Sequence, residues 1–252
     1  MIVRSAWIFG IRCKSMIKHE TCLEHFHRRL REGWKCVGLE GYNAFLLSPD
    51  GNSKLEIDLR NDVDGPNSPG TVVDNAAVGT EIWSNPNNAK ISDNIYTGIV
   101  VGGVATSHYL KATNFGFSIP VGATIDGILV EIEREADQNS ADDNVKDSSV
   151  KIVKADGSIG ATNKADTVNK WPTTDTYKSY GSAIDLWGES WTSTDINDVD
   201  FGVVLSVVLT GLDWGVAALV DHIRITVYYT PAATLQGKTA NMVAKMIAAE
   251  LI

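Results

Sequence analysis

The chain reads as a mainly β protein: an antiparallel β-sandwich of jelly-roll-like type, with an N-terminal helix plus β-hairpin segment before it and a short C-terminal helix after it. Three observations predict this. Between residues 108 and 230, runs rich in Val, Ile, Thr and aromatic residues alternate with Gly, Asn, Asp and Pro turns. No helix-period segment interrupts that stretch. About seven or eight such runs suit two sheets packed face to face.

Taken in order, the first element is not a secretory signal. The apolar run Ala6 to Ile11 follows a single Arg4 and lacks a small-residue cleavage pattern. Met16 resembles an ordinary start, so residues 1–15 read as a leader. From Ile17 to Arg31, Cys22, Leu23, Phe26 and Leu30 recur at helical spacing among charges, which predicts an amphipathic helix. Gly33 ends it, and Trp34 to Leu39 begin an extended run. Ala44 to Leu47 and Leu55 to Leu59 flank Ser48-Pro49-Asp50-Gly51-Asn52. There Pro presets φ and Gly supplies a positive φ, so a β-hairpin is expected. Asn61 to Gly70 offer little to bury. Residues 63–80 are therefore read as a linker between an N-terminal part, 1–62, and the sandwich, 81–230.

Within the sandwich, Ile95 to Val101 and His108 to Ile119 are expected strands. Ile128, Val130 and Ile132 then alternate with Leu129, Glu131 and Glu133, a strand whose outer face becomes charged as it leaves the core. Val150 to Val153 end at Ala155-Asp156-Gly157-Ser158, a tight-turn sequence. Phe201, Val203, Leu205, Val207 and Leu209 share one face, with Val204 and Val208 on the other, as in a central strand. Ile223, Ile225, Val227 and Tyr229 form the last half-buried strand. In the tail, 231–252, Met242, Val243, Met246, Ile247 and Leu251 lie on one helical stripe, which needs a partner to pack against.

Composition narrows the function classes. The net charge of −9 argues against nucleic-acid or membrane-surface binding, which selects for Lys and Arg. The charge is uneven: residues 1–36 carry eight Lys/Arg and three Glu, about +5, against about −14 elsewhere. Such a basic arm suits docking on an acidic neighbour or a solvated helix face. Cys13, Cys22 and Cys36 all lie in that arm and make no disulfide framework. His19, Cys22, His25 and His27 offer zinc-type ligands without the usual paired spacings.

Candidate chemistry is sparse. Asp137, Asp142, Asp143 and Asp147 crowd one loop and are weak calcium candidates, lacking the regular EF-hand spacing. Glu131 and Glu133 share a strand face, as a glycosidase pair or as a solvent edge. No nucleophile elbow occurs, and His108 and His222 both fall in strands. No catalytic residues, no metal and no cofactor are assigned, and the chain is read as non-enzymatic. Trp171, Tyr177, Tyr180, Trp187 and Trp191 cluster in one segment. They either stack on sugar faces or close the open end of the sandwich, the latter being favoured.

Two segments carry a resemblance. Tyr42 to Gly51 followed by Asp58 to Val63, and Ala112 to Phe117 followed by Ile119 to Ile128, resemble structural proteins of tailed bacteriophages. The resemblance implies a multicopy virion protein and transfers no active site. The function expected is capsid decoration or a head-associated role, with assembly through Leu23, Phe26 and Leu30 and through Met242, Val243, Met246, Ile247 and Leu251. Its partners would be major capsid or tail proteins and copies of itself, without nucleic acid or membrane, and its site the virion after synthesis in the host cytoplasm. The alternative is a tail- or fibre-associated carbohydrate-binding module contacting surface glycans.

Overall fold

A computed structural model describes residues 33–40, 43–51, 54–58, 62–211 and 215–232. The chain divides into two compact units, Arg60–Ala233 and the combined termini Met1–Leu59 with Thr234–Ile252. The expected helix over Ile17 to Arg31 and the tail helix lie outside the described residues, and with them all eight proposed assembly residues.

The terminal unit contains a three-stranded antiparallel sheet of β1 (Lys35–Glu40), β2 (Asn43–Leu47) and β3 (Lys54–Asp58) in that order. The expected hairpin is β2–β3. Gly51 takes φ +73° at its turn and donates its N–H to the Ser48 carbonyl at 2.9 Å. Only a residue without a Cβ adopts that φ without cost.

The second unit begins with β4 (Asp62–Asn67) and β5 (Thr71–Asn75), where a linker was expected. Both are edge strands, β4 against the last strand and β5 against β8. Edge strands bury one side at most, so they need few apolar residues, and this is why composition alone suggests a linker. A 3-10 turn (Pro86–Ala89), β6 (Thr97–Val101), β7 (Val104–Thr106), β8 (Tyr109–Thr113), β9 (Thr124–Ala136), β10 (Asn144–Val153), β11 (Thr176–Ser182), helix α1 (Ser193–Asn197), β12 (Gly202–Thr210) and β13 (Val216–Thr230) follow. The expected strand over His108 to Ile119 is shorter because Asn114 and Gly116 adopt left-handed φ of +60° and +68° and end β8.

Two five-stranded antiparallel sheets result. One runs β10-β12-β8-β5 with β7 also on β12; the other runs β11-β9-β13-β4 with β6 also on β13. From β8 to β13 each successive strand changes sheet. Ile128, Val130 and Ile132 of β9, Val203, Leu205 and Val207 of β12, and Ile223, Ile225 and Val227 of β13 meet in one core cluster. β12 is central, as its two apolar faces predict.

β9 does not leave the core. Its inward register continues past Ile132 to Arg134, which is 4% exposed. Arg134 forms an ion pair with Asp147 of β10, itself 2% exposed. The same carboxylate accepts from Trp171 Nε1 at 2.7 Å, Tyr180 Oη at 2.8 Å and the Asp166 N–H at 2.8 Å. The Arg134 guanidinium lies over the Trp171 ring at 4.5 Å. A buried charge persists only with such a set of partners.

Candidate functional site

The polar feature that stands out among the described residues lies on the outer face of the second sheet. There β9 presents Glu131 and Glu133, β13 presents His222 and Arg224, and β11 presents Tyr177 and Ser179. The register aligns them in two rows, Tyr177–Glu133–His222 and Ser179–Glu131–Arg224.

In the second row Arg224 Nε donates to Glu131 Oε2 at 2.8 Å, which raises the guanidinium pKa further. The Arg224 guanidinium also sits 3.8 Å from the centre of the Tyr177 ring, within cation–π range. In the first row His222 is held at both nitrogens, Nδ1 at 2.8 Å from Tyr177 Oη and Nε2 at 2.9 Å from Ser68 Oγ. Glu133 and Ser92 also lie beside the Tyr177 phenol. Burial depresses the His222 pKa, so the ring is neutral at physiological pH. Burial, and then the bond to Glu133, push the Tyr177 phenol up to about 12.

A β-bulge creates the rest of the site. Val220 pairs with Arg134 and His222 with Glu133, leaving Asp221 as the extra residue of β13. Asp221 is 1% exposed and accepts from the N–H groups of Asp93 at 3.4 Å and Asn94 at 3.1 Å. Asp175, just before β11, accepts from Tyr96 Oη at 3.3 Å. Burial, and then the charge of Glu133, raise the Asp175 carboxyl above its usual range. One carboxylate oxygen from each of Glu133, Asp175 and Asp221 lies within 4.8 Å of the others. Glu133 Oε2 and Asp175 Oδ1 each expose less than 1 Å² and have no hydrogen-bond partner.

The structure separates the residues singled out from sequence, and the buried aromatic rings follow the favoured structural reading. Asp147 is not a calcium ligand, because Arg134, Trp171, Tyr180 and the Asp166 N–H already occupy its oxygens. Asp137 accepts from the Ala217 N–H at 2.7 Å, while exposed Asp142 and half-buried Asp143 donate their N–H groups to Ser140 Oγ. The four do not form a common ligand set. Trp171 at 0%, Trp187 at 1% and Tyr180 offer no ring face to a sugar: they are core residues. Trp187 Nε1 donates to the Ile128 carbonyl at 3.0 Å. Trp191 is half-buried, edge-on to Phe201 with centroids 5.4 Å apart. Of that aromatic group, Tyr177 alone belongs to the outer face. Glu131 and Glu133 do share it, with Glu131 tied to Arg224.

Sequence reasoning missed Ser68, Asp175, Asp221 and Arg224. Asp221 did leave a trace: the buried apolar positions of β13 switch from even (Val216, Ala218, Val220) to odd (Ile223, Ile225, Val227) across it. Asp175 leaves none.

No protein-family model matches the chain, and no curated protein does. Solved structures with a similar arrangement include the enzymatically active domain of tailspike protein 4 from Bacteriophage CBA120, 8% identical with a TM-score of 0.28. That match covers 62% of this chain and 19% of the tailspike chain, so this chain spans about a fifth of its length. A carbohydrate-binding module of the β-sandwich superfamily is 14% identical with a TM-score of 0.30, covering 73% of this chain and 72% of the module. A protein crystallised with a xylogluco-oligosaccharide is 12% identical with a TM-score of 0.26, covering 77% and 44%. At such scores the likeness carries no argument about the site.

Proposed function

We propose that residues 62–232 form a non-enzymatic carbohydrate-binding module, tail- or fibre-associated in a tailed phage and carried on the virion after synthesis in the host cytoplasm. The observation that carries this reading is the pair of polar rows on the outer face of the second sheet. Sugar hydroxyls sit on adjacent ring carbons, and each both donates and accepts. A face that alternates Ser179 and Arg224 as donors with Glu131 as acceptor, on strands about 4.8 Å apart, meets that demand. The strands fix the backbone beneath them, so little ordering entropy is lost on binding. Phosphate-bearing ligands fit poorly, because Glu131, Glu133, Asp175 and Asp221 outnumber Arg224. Tyr177, with the Arg224 guanidinium over its ring, is the member of the Trp171–Trp191 segment that lies on this face.

Assembly through Leu23, Phe26, Leu30 and the tail stripe concerns residues that are not described, so capsid decoration has no observation here to favour it. A glycan array in calcium-containing buffer, followed by calorimetry on any hit, tests the proposal. Reproducible sugar binding that is lost in Arg224→Ala and kept in Val121→Ala, at the far end of β9's entry turn, is the expected result. Absence of any bound glycan, or binding indifferent to Arg224, overturns it.

A further inference from the structure

We propose that Glu133, Asp175 and Asp221 bind one calcium-sized divalent cation on the outer face of the second sheet. The cluster itself supplies the ligand type: three carboxylates, each offering an oxygen within 4.8 Å of the others. Two Ca–O bonds of about 2.3–2.6 Å span at most roughly 5 Å, so a cation placed among them reaches all three.

A second observation, independent of the clustering, points to a ligand. Glu133 Oε2 and Asp175 Oδ1 are sealed from solvent without a donor. A buried carboxylate oxygen without a partner forfeits its hydration and gains nothing in return. Elsewhere in this molecule the buried carboxylate is satisfied in full: Asp147 has an arginine and three further donors. A cation does for the orphaned pair what Arg134 does for Asp147.

The third member explains how the site is held open. Asp221 is fixed by the N–H groups of Asp93 and Asn94, which leaves further lone pairs on both of its oxygens. Neither Glu133 nor Asp175 has a lysine or arginine as an ion-pair partner among the described residues. The Arg224 guanidinium on the same face is committed to Glu131. Oxygen-only ligands select a hard cation over zinc or copper, and the spread of the oxygens suits calcium better than the tighter octahedron of magnesium.

The test is calcium titration of the chelator-treated full chain by calorimetry, with thermal unfolding in parallel. One equivalent should bind and raise the melting temperature, since the ion binds the folded state alone. Glu133→Gln and Asp175→Asn keep side-chain shape and should each weaken binding by about tenfold or more, while Asp142→Asn/Asp143→Asn leaves it unchanged. Asp221 is left intact because it anchors the 93–94 backbone. Terbium luminescence sensitised through Tyr96, which touches Asp175, provides a readout of position that survives a change in stability. No binding up to about 10 mM, well above the ~0.1–1 mM range of weak protein calcium sites, overturns the proposal. So does binding retained in the Glu133→Gln/Asp175→Asn double variant. Sugar is absent from every arm, so failure here leaves the carbohydrate reading standing, and the reverse.

Discussion

Asp147 is a buried carboxylate at which Arg134, Trp171, Tyr180 and the Asp166 N–H converge. Counted back from Val150 and Ile152 it belongs to the outer face, among solvated aspartates. The ladder of β10 with β12 shifts register between Asp147 and Ser149, and that shift turns Asp147 inward. Arg134 was equally hidden, since an arginine after Glu131 and Glu133 reads as one more surface charge. Arg134→Ala should cost about 3–5 kcal/mol in urea unfolding, because it leaves a buried carboxylate without its cation. Replacing both partners with apolar residues should not restore full stability, since Trp171 Nε1 and Tyr180 Oη would then lose their acceptor. Asp166 predicts the acid limb. Hydrogen bonds from the Asn169 side chain and N–H, and then Lys178, hold its carboxyl far below the ordinary range. Its folded pKa is depressed, so the stability it contributes is present above about pH 4 and is lost as the pH falls below that. Asp166→Asn should flatten the fall in melting temperature between about pH 4 and pH 2.

At the scale of the element, alternation located β9, β12 and β13 correctly because each buries a run of at least three alternating apolar residues. It could not place β4 and β5, which as edge strands have little to bury. It also could not count across a bulge, where one residue exchanges the two faces. The site depends on that exchange. Deleting Asp221 would turn Ile223, Ile225 and Val227 outward and His222, Arg224 and Thr226 inward. The deletion variant should lose the β-sheet signal in circular dichroism or fail to remain soluble. Asp221→Ala should keep that signal, since the register is untouched.

At the scale of the molecule, the sandwich was legible as a class and its central strand by name, whereas the proposed ligand face was not. Large aromatic rings in a turn-rich segment look the same whether they face sugar or core; only their burial separates the cases. Trp187 illustrates the outcome. It packs beneath the β11 bend, where Gly181 at φ +78° leaves room that a Cβ would take, 2.7 Å from Trp187 Nε1. Trp187→Ala should therefore cost about 3–5 kcal/mol in chemical unfolding and should not act as a selective sugar-binding defect.

The fifteen-residue strand β13 has two short partners on one side, β6 beside Val216–Val220 and β4 beside Ile225–Tyr229. Between them the side of β13 is met at Asp221 and His222 by the backbone N–H groups of 93–94, the Lys90 bridge and the Ser68 hydroxyl. The proposed ligand face thus borders a seam in the sheet's edge, beside the long ladder of β13 with β9. Replacing segments 68–70 and 90–96 should therefore alter the surroundings of Asp221 and His222 while the β9–β13 pairing persists, as circular dichroism would read.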